Sequence, residues 1–151
     1  MNNRKSFIVV SALVGLAIIF SGLISLSRDV SLKDWYSQSA GYASAFKQHQ
    51  ESNKPMVVLF YTDWCGSCKT LKADILSSPD VQAFLKNRVL AVKINPERDV
   101  DSANLAKQFG VRGYPMMFMV RNDGKDIQWI RKTSRITPAQ FIAQLQGAIE
   151  Q

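Results

Sequence analysis

Apolar residues along the chain fall into one long block followed by short runs of alternating period. Residues 7–26, FIVVSALVGLAIIFSGLISL, carry no charge, and as a helix they would span about 30 Å, one hydrocarbon core. Arg4 and Lys5 precede this block while Arg28 is followed at once by Asp29, so the charge bias places the tip inside the cytoplasm and everything downstream outside it. The block reads as an uncleaved signal anchor. A cleaved signal peptide, the alternative, usually has a shorter apolar run and an A-x-A-like site.

Residues 27–39 are polar apart from Leu32, Trp35 and Tyr36, which suits a juxtamembrane linker or a short helix at a membrane surface. A first helix is predicted over 42–50, closed by Ser52, Asn53 and Pro55 before the β-rich run 56–61. Helical spacing returns over 66–76, and Ser78-Pro79-Asp80 caps a restart through about Lys86. Residues 89–94 form a second apolar strand, ended by Asn95-Pro96. Asp99 or Asp101 then caps a helix that stops at Gly110. After Pro115 come a strand MMFMV, a hairpin turn at Asn122-Asp123-Gly124, a strand over 127–130, and a last helix opened by Thr137-Pro138. The order is βαβαββα behind one helix, without internal repeats.

Hydrophobic residues at 46% and charged residues at 21% of 151 exclude wholesale disorder and a many-spanning membrane protein. The net charge of +7 falls to +4 from Asp29 onward, and its densest part, Arg121 to Arg135, is interrupted by Asp123 and Asp126. No basic helix or aromatic RNA-binding signature accompanies it, so no nucleic-acid partner is expected.

Chemistry concentrates at Cys65-Gly66-Ser67-Cys68, which holds both cysteines of the chain at a strand-to-helix junction. A cysteine at a helix N-terminus is favoured as the thiolate, the attacking species in exchange. Cys68, one turn on, can reach a mixed disulfide at Cys65 and expel the reduced product. A purely stabilising bridge is the weaker reading, because so short a loop removes little unfolded-state entropy. Metal binding is weaker too: two thiols fall short of tetrahedral zinc, and His49, alone on a predicted helix, reads as a surface residue. Met116, Met117 and Met119 suit copper(I) in principle, but alternation in a central strand assigns them to core packing. Trp35, Tyr36 and Trp129 likewise read as interface or core aromatics.

The stretch KPMVVLFYTDWCGSCK (54–69), with VRGYP (111–115), resembles the thioredoxin superfamily over about residues 42–151. The resemblance implies a thioredoxin-like α/β fold, a mixed central sheet flanked by helices, over residues 40–151. This follows a cytoplasmic tip (1–6), a transmembrane anchor (7–26) and a linker (27–39). It implies Cys65 as nucleophile and Cys68 as resolving thiol, with Trp64, Gly66, Ser67, Tyr114 and Pro115 forming the substrate groove. Pro115 would follow a cis bond, and Tyr114 would offer backbone hydrogen bonds to an extended substrate. Thioredoxins usually carry a buried aspartate six positions before the nucleophile; here that position is Leu59, while its usual lysine partner is present as Lys93. Cys68 activation would then rely on Lys93, water or the substrate, and Asp63 would oppose thiolate formation at Cys65. A glycine of the groove is also replaced, around Lys132.

Within the superfamily, the Lys-Pro to Asp-Trp-Cys stretch and the Ser-Ser-Pro-Asp-Val helix start look most similar to the C-terminal domain of the membrane thiol:disulfide interchange reductases. The expected activity is protein-disulfide reduction outside the cytoplasm, at the inner (cytoplasmic) membrane with the catalytic domain facing the periplasm or cell exterior. It would need no cofactor beyond the Cys65–Cys68 couple and no metal, and would draw electrons from a membrane partner. A disulfide-forming oxidase and a non-catalytic client- or copper-binding module are the alternatives.

Overall fold

The computed structural model describes residues 32–131, 133 and 135–151. The predicted anchor at 7–26 and the groove position Lys132 lie outside the described residues. Among those described, no helix is long and apolar enough to cross a membrane.

The elements are β1 (Tyr36–Ser37), α1 (Gln38–Ser52), β2 (Met56–Phe60), α2 (Gly66–Leu71), α3 (Pro79–Arg88), β3 (Leu90–Ile94), α4 (Val100–Gln108), β4 (Met116–Arg121), β5 (Asp126–Ile130) and α5 (Pro138–Glu150). They build one five-stranded mixed sheet in the order β1-β3-β2-β4-β5. β1, β3 and β2 run parallel, and β4 and β5 join antiparallel. Every residue of β2 is buried, as the unbroken run MVVLF requires of a central strand covered on both faces. One face packs Val57, Leu59, Met117 and Met119 against Leu71, Leu76, Leu85, Phe141 and Leu145. The other packs Val58, Phe60, Phe118 and Val120 against Ala45, Ala106, Phe46 and Phe109. The layers are therefore helix, sheet, helix, the thioredoxin-like α/β arrangement. Met117 and Met119 are fully buried core, while Met116 at the head of β4 is partly buried against the second face.

Local signals act where the sequence places them. Asp99 caps α4 by accepting from the Ser102 N–H at 2.7 Å, and Thr137 with Gln140 forms a full capping box on α5. Gly124 closes the β4–β5 hairpin at φ 78°, where a Cβ would come within 2.7 Å of the Phe46 ring, so both backbone and space demand glycine.

Several expectations change. Residues 32–39 do not behave as linker: Leu32 opens a 3-10 turn (Leu32–Asp34), β1 pairs with β3, and Leu32 and Trp35 are buried. Two paired residues carry too little pattern to be read as a strand. The first helix starts at Gln38, four residues before the predicted start. His49 is 1% exposed rather than on the surface, its Nδ1 2.8 Å from the Lys54 carbonyl oxygen. That carbonyl, just past the end of its own helix, satisfies Nδ1, while Nε2 is buried without a hydrogen-bond partner among the described residues. The helix predicted over 66–76 is real but changes character, since α2 continues as a π-helical turn, Lys72–Leu76. Of the aromatics, Trp35 is core, whereas Trp129 is 47% exposed on the edge strand with the Arg131 guanidinium 5.5 Å from its ring centre.

Candidate active site

The site forms where β2 and β3 end, the edge of a parallel sheet segment from which loops reach outward. β2 delivers Tyr61, Thr62 and Asp63 into a turn, and α2 starts at once behind Cys65. Cys65 is the N-cap of α2: its Sγ accepts from the Cys68 N–H at 3.1 Å, so an otherwise unpaired helix donor points at the sulfur. Cys65 and Cys68 are joined by a disulfide, Cα to Cα 5.3 Å, as helical spacing allows. Cys65 is 4% exposed and Cys68 partly exposed, with Trp64 beside them 67% exposed.

The segment 111–115 lies against this turn. The Tyr114–Pro115 bond is cis. The Tyr114 ring meets Trp64 edge-on at 6.2 Å between centroids, and the Ser67 hydroxyl donates to the Tyr114 carbonyl at 3.4 Å. The same hydroxyl oxygen is 3.5 Å from Cys65 Sγ. Trp64, Cys65, Ser67, Cys68 and Tyr114 are thus brought into one cluster. Gly66 is exposed, and a Cβ there would meet open space, so glycine is not demanded by packing.

The loop after β3 contributes two contacts that sequence reasoning missed. Glu97 Oε1 accepts from Trp64 Nε1 at 2.9 Å, and Arg98 pairs with Asp63. Asn95 builds this loop: its Oδ1 accepts from the Glu97 N–H and its carbonyl from the Arg98 N–H. Asp63 is exposed, as expected, but its charge is offset by Arg98 before it acts on Cys65. Glu97 and Arg98 were recognisable only as charged residues just past a strand end beside the cysteine turn.

Lys93 lies level with Leu59 on the neighbouring parallel strand. Its Nζ donates to the Leu32 carbonyl at 2.7 Å. Burial, and then the nearby Lys72 charge, hold its pKa below the usual lysine value. Tyr61 is pushed the other way, its phenol raised by burial and by the Asp63 carboxylate. Leu59 itself is 4% exposed in the apolar cluster with Leu71, Ile75 and Leu76, so no carboxylate occupies that slot.

A family model described as a thioredoxin-like domain matches residues 42–149. The chain belongs to the thioredoxin-like family. Over 92 residues this thioredoxin-like chain is 37% identical to the thiol:disulfide interchange protein DsbD of Neisseria meningitidis, which covers 60% of the chain and 15% of DsbD. The chain therefore spans about one seventh of that relative. Among solved structures, the oxidised C-terminal domain of Neisseria meningitidis DsbD superposes with a TM-score of 0.59 at 28% identity, covering 75% of this chain and 97% of that domain. A DsbH oxidoreductase superposes with a TM-score of 0.66 over 77% of this chain and 83% of its own, at 21% identity, a likeness of fold.

Proposed function

We propose that this protein is a thiol–disulfide oxidoreductase that reduces disulfides of protein substrates outside the cytoplasm. The observation that carries the reading is the Cys65–Cys68 disulfide on the first turn of a helix, with the Cys68 N–H aimed at Cys65 Sγ. Reduced Cys65, as thiolate, attacks one sulfur of a substrate disulfide, and the other sulfur leaves as a thiolate that takes up a proton. Cys68 loses its proton and attacks Cys65 Sγ, which re-forms the Cys65–Cys68 bond and releases the second substrate thiol. Two electrons pass from the Cys65–Cys68 dithiol to the substrate, so the cysteine pair itself is the carrier and no bound cofactor or metal is needed. Likeness to the thiol:disulfide interchange protein DsbD supports the exchange reaction; in the reductase direction a membrane dithiol partner would return the electrons. Residues 7–26 would hold the domain at the outer face of the inner membrane.

In the groove, Trp64 and Pro115 would shape the walls and Tyr114 would dock the substrate backbone. Ser67 and Gly66 would line the floor. Against a copper-delivery reading, Met117 and Met119 are buried in the sheet, and the Sδ of partly buried Met116 accepts from the Arg112 N–H at 3.4 Å. Replacing Cys68 by serine tests the reaction. The full chain carrying Cys68→Ser should accumulate mixed disulfides through Cys65, visible as species that collapse on reduction. Absence of such species, together with no insulin reduction by the unaltered protein, would overturn the proposal.

A further inference from the structure

The Ser67 hydroxyl stands between the reacting sulfur and the backbone that flanks the groove. Its oxygen is 3.5 Å from Cys65 Sγ and 3.4 Å from the Tyr114 carbonyl oxygen. A serine hydroxyl has one proton to give, so it serves one of these acceptors at a time. With the cysteines joined, the sulfur is neutral and a weak acceptor, and the carbonyl takes the proton across a distance long for an O–H···O bond. The hydroxyl is therefore loosely committed in the oxidised protein.

Reduction reverses the ranking. A dithiol donor gives two electrons and two protons, its own sulfurs join, and the Cys65–Cys68 bond breaks to two thiols. Cys65 then releases its proton to solvent while Cys68 keeps its own. The Cys65 sulfur is now an anion, and a hydrogen bond to an ionised acceptor is roughly twice as strong as one between neutral groups. We propose that Ser67 is a redox-dependent hydrogen-bond switch: on reduction its proton turns from the Tyr114 carbonyl to the Cys65 thiolate. The attacking species is stabilised, and the Tyr114 carbonyl is opened to a backbone N–H of an extended substrate. On reoxidation the proton returns to the carbonyl, which competes with the reduced product for that acceptor. Both acceptors lie within reach of one oxygen position, so the turn needs no backbone movement.

Other groups around Cys65 leave this role to Ser67. The Cys68 N–H points at the sulfur from a fixed backbone position. Asp63 is paired with Arg98, Glu97 holds the Trp64 indole, and Lys93 donates to Leu32 with Lys72 nearby. Lys69, whose N–H bonds the Cys65 carbonyl, is exposed, and the Tyr114 ring stacks edge-on with Trp64.

The inference rests on the exchange reading for its consequence, but its first test does not. In the full chain, the pH dependence of Cys65 alkylation by iodoacetamide should move upward by about half to one pH unit in Ser67→Ala and return in Ser67→Thr. With a disulfide peptide as substrate, Ser67→Ala should also show product inhibition at least twofold stronger, because the Tyr114 carbonyl is then open in the oxidised state as well. An unmoved alkylation midpoint overturns the switch, and so does a moved midpoint with unchanged product inhibition. The titration reads Cys65 without any client, so a protein that exchanges with no disulfide yet shows the midpoint shift would refute the exchange reading and leave the Ser67–Cys65 bond standing.

Discussion

Returning a carboxylate to position 59 tests how dry the floor beneath the active-site helix is. Leu59 is 4% exposed, packed with Leu71, Ile75 and Leu76, and level with Lys93 on β3. Leu59→Asp forgoes about 2 kcal/mol of apolar transfer. Burying a carboxyl group with no prepared partner costs about 1–3 kcal/mol more. Lys93 could serve it only by leaving the Leu32 carbonyl, which cancels much of that gain. The expected loss at neutral pH is about 3–5 kcal/mol. Burial also raises the new carboxyl above its unfolded value of about 3.9, so between the two values the folded state binds more protons than the unfolded one. The variant is then relatively most stable below about pH 3.9 and loses stability as pH rises toward the folded value. Urea unfolding of the oxidised protein from pH 4 to 8, with Leu59→Asn as the uncharged control, reads this directly. A gap between the two variants that widens with pH is expected. A constant gap, or a total loss under about 1 kcal/mol, would refute the picture of an apolar slot.

Glu97→Gln keeps the shape but weakens the acceptor of the Trp64 N–H, so the emission of the exposed Trp64 should change and KM for a peptide disulfide should rise about two- to fivefold with kcat little altered. Unchanged emission would mean the contact does not hold Trp64 in solution. Asp99 is held below the usual carboxylate range, first by the Ser102 N–H, so its contribution is present above the unfolded carboxyl value and lost as pH falls through the lowered one; Asp99→Asn should flatten that acid limb in a thermal melt. Lys93, held below the usual lysine value by burial, binds fewer protons folded than unfolded. The unaltered protein should therefore gain stability relative to Lys93→Met as pH rises toward about 10.5, and a parallel pair of melting curves would contradict the assignment.

The strands and helices that carry their own pattern were legible: the all-apolar β2, the cap at Asp99, the Thr137-Pro138 start and the Asn122-Asp123-Gly124 hairpin. So was the cysteine turn, because a strand, a C-x-x-C pair and a helical spacing occur in immediate succession. What escaped depends on partners far along the chain. β1 exists through its pairing with β3, 56 positions downstream in the register Tyr36 to Val92, and Leu32 is buried through the cluster it joins. His49 is inside because the Lys54 carbonyl meets its ring, which helical periodicity does not encode. Lys93 was recognisable by its position, but its acceptor lies in a segment whose polarity reads as linker. Asp63 was placed correctly at the surface, while the Arg98 that offsets it sits on a loop built by Asn95.

The most direct test of the proposed activity is the equilibrium reduction potential of the Cys65–Cys68 couple in the full chain against glutathione, with insulin reduction followed in the same preparation. A value near the roughly −270 mV of thioredoxin, with turnover, is predicted for a reductase. A value near about −120 mV, or a couple that never exchanges with glutathione or insulin, would contradict it.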